Sequence, residues 1–170
     1  MNISNQAKEF AIAKHGTQKY GDRPYSYHLA LVSQVLSDFG YVADEAIAAA
    51  GWLHDTLEDT ETAYEMLVSE FGKETADIVW AVTNEPGGNR VDRFRKTALK
   101  IQSNKKALIV KLADRIANTE ASLQINSKFY KMYVKEFALF KELLYNPQDV
   151  RLILMWNRLE QLNQKNSTLN

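Results

Sequence analysis

The chain has no cysteine, only three prolines and seven glycines in 170 residues, and no net charge. Without cysteine there can be no disulfide, no thiolate metal site and no cysteine nucleophile. Lys plus Arg and Asp plus Glu both number 21. The basic excess of a general nucleic-acid or membrane-surface binder is therefore missing, although a local basic pocket could still take a small anion. The longest apolar run, AIAAAGWL at 46–53, falls far short of the ~20 residues of a membrane-spanning helix. The first residues, MNISNQAKEF, have neither the basic nor the apolar segment of a signal peptide. The expectation is a soluble, cytoplasmic protein with no nucleic-acid or membrane partner. Homo-oligomer formation stays open.

Few glycines and prolines leave long uninterrupted segments, and apolar residues recur in these at helical spacing with almost no strand-like alternation. The pattern predicts helices over 3–16, 26–38, 43–57, 61–70, 73–83, 90–102, 105–120, 127–144 and 148–163. Gly40 and Gly72 read as helix ends, Asp44 or Ala43 as a helix start, and NEPGGN at 84–89 as a loop. The predicted fold is all-α: one domain over 1–170, a bundle of about eight to ten helices with short connections. The last residues, NQKNSTLN, are expected to fray.

Polar residues interrupt the apolar pattern at a few points. In GWLHDTLEDT at 51–60, His54 and Glu58 are four residues apart, as are Asp55 and Asp59. On one continuous helix each pair would stack, the two about 100° apart. Ala46, Ile47, Ala50 and Leu53 lead into them and mark the helix as largely buried. An unpartnered buried carboxylate is costly and neighbouring carboxylates repel, so a divalent cation would relieve both. Asp114 lies in a similar apolar helix among Ile109, Val110, Leu112 and Ala113, with Asn118 one turn on. His28 follows PYSY. Each has a plain structural explanation taken alone: a packed His28, an Asp114 paired with Arg115 or another arginine, a solvated helix end at Glu58 and Asp59. The ordered set H…HD…ED…D points instead to a metal-assisted hydrolytic site. His15 is expected to have no catalytic part. Tyr130, Tyr133, Phe137 and Phe140 read as a core stripe.

The segments RPYSYH, HDTLEDT, EFGKETADIVWAVTN and VKLADRIAN resemble the HD-domain phosphohydrolase superfamily. Within it they are similar to the hydrolase domain of RelA/SpoT-homologue proteins, above all the stand-alone small alarmone hydrolases. The likeness runs over about 7–145, leaving the predicted helix 148–163 beyond it. It implies an HD-type bundle in which His28, His54, Asp55 and Asp114 hold a divalent metal, usually Mn²⁺. Two imidazoles and two carboxylates would also suit iron, cobalt or zinc. Glu58 and Asp59 would handle the hydrolytic water, and Asn118 would lie against the nucleoside. The implied reaction removes 3′-pyrophosphate from (p)ppGpp or a related alarmone, giving GDP or GTP and pyrophosphate. With no synthetase-like half in the sequence, degradation without synthesis is expected.

The sequence departs from the family in the loop before PYSYH. The family's adjacent basic pair falls here on Tyr20 and Gly21, leaving Lys19 and Arg23 as nearby cations expected to contact substrate phosphate. Leu29 stands where proline commonly follows the histidine. NRVDRFRK at 89–96 is either a solvated helix face or a phosphate-gripping rim through Arg90 or Arg93. The alternatives are another HD-type nucleotide phosphohydrolase, of the 5′-nucleotidase or NADPH-phosphatase kind, and a non-catalytic, metal-stapled partner protein.

Overall fold

The computed structural model describes residues 2–125, 127–147 and 150–164. In chain order these form α1 (Ile3–His15), a hairpin of β1 (Lys19–Tyr20) and β2 (Arg23–Pro24), α2 (Ser26–Asp38), a 3₁₀ turn (Tyr41–Ala43), α3 (Glu45–Leu53), α4 (Thr56–Asp59), α5 (Tyr64–Val82), α6 (Arg90–Gln102), α7 (Lys105–Ile125), α8 (Ser127–Leu144) and α9 (Val150–Gln164). The described architecture is thus all-α apart from one two-residue hairpin.

Local chemistry sets the helix starts. Asn2 opens α1 by accepting from the Asn5 amide, and Asn89 opens α6 by accepting from the Asp92 amide. Asp44 opens α3, its Oδ1 accepting from the amides of Ala46 and Ile47. Such side-chain oxygens satisfy donors that the helix itself cannot. The helices expected over 61–70 and 73–83 meet within Tyr64–Val82 at a break at Gly72, the expected helix end, whose φ of 80° glycine tolerates best.

The single helix expected over 43–57 is corrected. A 3₁₀ turn precedes α3, which stops at Leu53, and α4 resumes at Thr56. The Thr56 hydroxyl donates to the Leu53 carbonyl at 2.7 Å, and His54 Nδ1 lies 3.0 Å from the Gly51 carbonyl. These side-chain bonds compete with the helical ladder and leave His54 and Asp55 at the break. Helix α7 runs five residues beyond the expected end at 120. The hairpin was too short for alternation to reveal. The expected start of the last helix at 148, and residues 165–170 of the expected frayed end, lie outside the described residues.

Helix α7 is the central post, packed against α2, α3, α5, α6, α8 and α9. Leu29 and Leu36 of α2, Leu53 of α3, Leu112 and Ile116 of α7, Phe140 of α8 and Trp156 of α9 are all fully buried. Each such side chain contributes roughly 1.5–3 kcal/mol on leaving water. The small residues of AIAAAGWL let α3 approach its neighbours closely. A Cβ built on Gly51 would lie 2.5 Å from Leu36 Cδ1. This packing fixes α2, α3 and α7 against one another, and each of them brings polar groups to the same point.

Candidate metal centre and hydrolytic site

From α2 comes His28, from the α3–α4 break His54 and Asp55, and from α7 Asp114. Both imidazoles are buried, at 1% and 2% exposure. His54 Nε2 is 2.9 Å from Asp55 Oδ2 and 3.8 Å from Asp114 Oδ1. His28 Nε2 is 3.5 Å from Asp55 Oδ2 and 3.4 Å from Asp114 Oδ1. The two Nε2 atoms are themselves 3.2 Å apart. Ligand atoms of His28, His54 and Asp55 lie within 4.8 Å of one another, close enough to share a cation. The neighbours hold these groups in place: the Tyr25 hydroxyl donates to Asp55 Oδ2 at 2.6 Å, Asn118 Nδ2 donates to Asp114 Oδ1 at 2.5 Å, and Lys111 Nζ donates to Asp114 Oδ2 at 3.2 Å. Asp114 therefore pairs with Lys111, while Arg115 turns to Glu136 on α8.

The electrostatics follow from this crowding. Burial alone would lower the His28 imidazole, but hydrogen bonds and charge from Asp114 and Asp55 outweigh it and raise the pKa to about 9. His54 is raised too: burial opposes its charge, and Asp55 prevails. Burial pushes both carboxyls up, yet the histidines hold Asp55 well below the ordinary range, and Lys111 with the histidines does the same for Asp114. A metal takes neutral imidazoles and ionised carboxylates, so a cation here would bind in competition with protons.

Above this floor opens a cavity of about 410 Å³. Glu58 and Asp59 stand at its lip, both exposed. Glu58 is clamped by Asn84, whose backbone amide and Nδ2 donate to its two oxygens at 3.1 and 2.9 Å. Asp59 accepts from Gln18 Nε2 at 2.9 Å. The cavity is also lined by Arg90, Arg93, Lys111, Arg115, Tyr133 and Glu136. Glu136 accepts from Arg90 Nε at 2.5 Å and from an Arg115 guanidinium nitrogen at 2.9 Å. Burial pushes the Glu136 carboxyl up, but the two arginines outweigh that and lower it.

The structure brings His28, Asp55, Glu58, Asp59, Arg93, Asp114 and Asn118 to this cavity, with His54 buried alongside Asp55. It does not bring Lys19 or Arg23. Both are exposed; adjoining residues of a strand face opposite sides, and in the hairpin it is Tyr20 that takes the inward side. The Tyr20 ring stacks on His28 with centroids 4.9 Å apart, and its hydroxyl donates to Asn118 Oδ1 at 2.9 Å. Arg23 lies over the Tyr27 ring instead. The NEPGG loop is pinned to α6, with Lys96 donating to the Pro86 carbonyl and the Glu85 amide to Thr97 Oγ1. Of the aromatic stripe, Tyr130 and Phe140 are buried and Phe137 packs on the core, but Tyr133 faces the cavity. Burial pushes its hydroxyl up to about 12, so it stays a hydrogen-bond donor. Sequence reasoning missed Tyr20, Tyr25, Asn84, Lys111 and Glu136. Of these, Tyr25, Asn84 and Lys111 lie inside the segments that carry the family likeness and Tyr20 in the loop that departs from it, while Glu136 carried no sequence signal.

The HD domain profile matches residues 7–143. Guanosine-3′,5′-bis(diphosphate) 3′-pyrophosphohydrolase MESH1 of Danio rerio is 37% identical over 127 residues, covering 69% of this chain and 71% of that protein. A guanosine-3′,5′-bis(diphosphate) 3′-pyrophosphohydrolase of Aquifex aeolicus is 34% identical over 136 residues, 77% of this chain but 19% of that protein. This chain therefore spans less than a fifth of the Aquifex protein. A solved structure of a metazoan ortholog of SpoT that hydrolyses ppGpp has the same fold, with a TM-score of 0.82 at 24% identity, covering 99% of this chain and 98% of that one.

Proposed function

We propose a hydrolytic function from one premise: the chain belongs to the HD domain family. The reaction is metal-dependent removal of 3′-pyrophosphate from (p)ppGpp or a related alarmone, giving GDP or GTP and pyrophosphate. The names of the Danio and Aquifex relatives support this reading. The observation that carries it is the convergence of two imidazoles and two carboxylates beneath a second pair of carboxylates, at the end of a cavity walled by cations.

The donor set fits a divalent cation. His54 Nδ1 is committed to the Gly51 carbonyl, so in the neutral ring Nε2 offers its lone pair to the floor. His28 Nε2 is aimed at the same point. His28, His54, Asp55 and Asp114 would hold the ion, for which we propose Mn²⁺. Such an ion, when bound, supplies Lewis acidity and makes a water acidic enough to attack at neutral pH. Glu58 and Asp59 orient the attacking water and take up its proton. Arg90, Arg93, Lys111 and Arg115 bind phosphate oxygens through charge-assisted hydrogen bonds. Asn118 and Tyr133 face the nucleoside.

The test is purified protein with Mn²⁺ and ppGpp, with pyrophosphate and GDP measured. Turnover well above that of a His54→Ala, Asp55→Ala double variant is expected; an equal rate would overturn the assignment. Tyr20 in the place of a basic pair favours a second reading, a different nucleotide substrate for the same site. Release of orthophosphate from another member of a nucleotide panel would select it.

A further inference from the structure

We propose that His15 is a positioning residue for Asp59 and acts through Gln18. The inference rests on the reading of Asp59 as a group that handles the attacking water. His15 closes α1 and is only 5% exposed. Its Nδ1 lies 2.8 Å from Gln18 Oε1, and Gln18 Nε2 donates to Asp59 Oδ2 at 2.9 Å. The direction of this chain of bonds is set by chemistry. A carboxylate only accepts, so Gln18 must turn its NH₂ toward Asp59. Its carbonyl must then face His15, so Nδ1 must carry the hydrogen. The imidazole thereby anchors the carbonyl end of the amide while its NH₂ end meets Asp59.

The main chain holds Gln18 in the same place. Gly16, with φ of 51°, turns the chain at the end of α1. The Gln18 amide then donates to the His15 carbonyl at 2.9 Å, and the Tyr25 amide donates to the Gln18 carbonyl at 3.0 Å. The His15 ring also stacks on Tyr25 at 4.4 Å and 23°, and the Tyr25 hydroxyl donates to Asp55. One imidazole thus supports two arms, through Gln18 to Asp59 and through Tyr25 to Asp55. Packing alone does not account for an imidazole here. Its Nε2 is buried without a hydrogen-bond partner, a desolvation cost that a phenyl ring would avoid. What the imidazole adds over a phenyl is the Nδ1 bond to Gln18. Glu58 has its own clamp in Asn84, so the pair at the lip is held by two amides, one on each carboxylate.

Two substitutions at one position separate the arms. His15→Phe keeps the ring on Tyr25 and removes the donor; His15→Asn keeps a donor near Nδ1 and removes the stacked ring. With ppGpp and Mn²⁺, His15→Phe and Gln18→Leu should each lower kcat roughly ten- to a hundredfold, the scale of a misplaced reacting group. KM should stay within about twofold, because binding is not touched. His15→Asn should recover most of the loss, and the His15→Phe, Gln18→Leu pair should be no worse than Gln18→Leu alone, since both cut one path. Unchanged kcat in Gln18→Leu, or an active His15→Phe beside an inactive His15→Asn, would overturn the proposal. A parent chain inactive on ppGpp would instead overturn the functional reading. The positioning bond is then tested without turnover, from two-bond ¹⁵N–¹H correlations of the three histidines. The parent should show His15 protonated at Nδ1, and Gln18→Leu should shift it toward the Nε2–H tautomer. An Nε2–H tautomer in the parent would sink the proposal.

Discussion

The floor and the rim of the cavity are built in opposite ways. The floor groups, His28, His54, Asp55 and Asp114, come from segments locked by apolar packing, with both imidazoles buried and standing 2.9–3.8 Å from the two carboxylates. The rim groups, Glu58, Asp59, Arg90 and Glu136, are partly or fully exposed and held by side-chain hydrogen bonds to distant residues: Asn84, Gln18, Arg115. Burial makes polar groups expensive when they lose a partner, and exposure makes them cheap. Damage to the floor should therefore register in folding, and damage to the rim in chemistry.

The largest effect should come from Asp55→Ala. It removes the partner of both imidazoles and of the Tyr25 hydroxyl, and breaking a buried ion pair costs about 3–5 kcal/mol. Urea melts should show that loss, together with the loss of any stabilisation by Mn²⁺. An Asp55→Ala chain as stable as the parent would break the contrast at its floor. Glu58→Gln comes next and reads the other side of it. Loss of a proton-transfer group lowers rate about 10²–10⁴-fold, while Asn84 can still bond the amide oxygen, so stability should move by no more than about 0.5 kcal/mol. A large drop in Tm here would show that the rim is structural after all. Metal loading sharpens the comparison further. Mn²⁺ at a hundred times its Kd should stabilise the parent by about 2.7 kcal/mol, chelation should reverse this, and Glu58→Gln should keep it.

The same contrast explains what could be read from the sequence. The floor residues stand out because polar side chains interrupt apolar helices: His54 and Asp55 follow AIAAAGWL, and Asp114 sits among Ile109, Val110, Leu112 and Ala113. Their juxtaposition across three segments could be inferred only from their order and from family likeness. Of the rim residues, Glu58 and Asp59 were marked by HDTLEDT and Arg90 by its basic cluster, but nothing marked how they are held. Glu136 meets Arg90 across 46 positions, a pairing with no local pattern. The break after Leu53 was hidden for a different reason. Nothing in helical periodicity registers a Thr56 hydroxyl turning back to the Leu53 carbonyl. The two-residue strands were too short to alternate, so Lys19 was expected at the site that Tyr20 occupies.

The smallest effect lies in the Arg90–Glu136–Arg115 cluster, where rim and burial overlap. The Glu136 side chain is 20% exposed and bridges two arginines, one half-exposed and one nearly buried. Burial raises its carboxyl and the arginines lower it further, for a net depression. A carboxyl depressed on folding contributes stability above its unfolded pKa and loses it as pH falls through the folded value. Glu136→Gln should therefore cost about 1 kcal/mol at pH 7, a charged hydrogen-bond contribution reduced by solvent screening. The gap between parent and variant should stay flat above roughly pH 5, where even an unperturbed Glu is mostly ionised, and narrow as the solution is acidified below that. Raising salt at pH 7 should narrow it only in part, because Arg115 is shielded from solvent. Urea melts of both chains across pH 7 to 3 measure this. A gap that widens in acid would mean that Glu136 is held protonated, and that the two arginines face the cavity unneutralised.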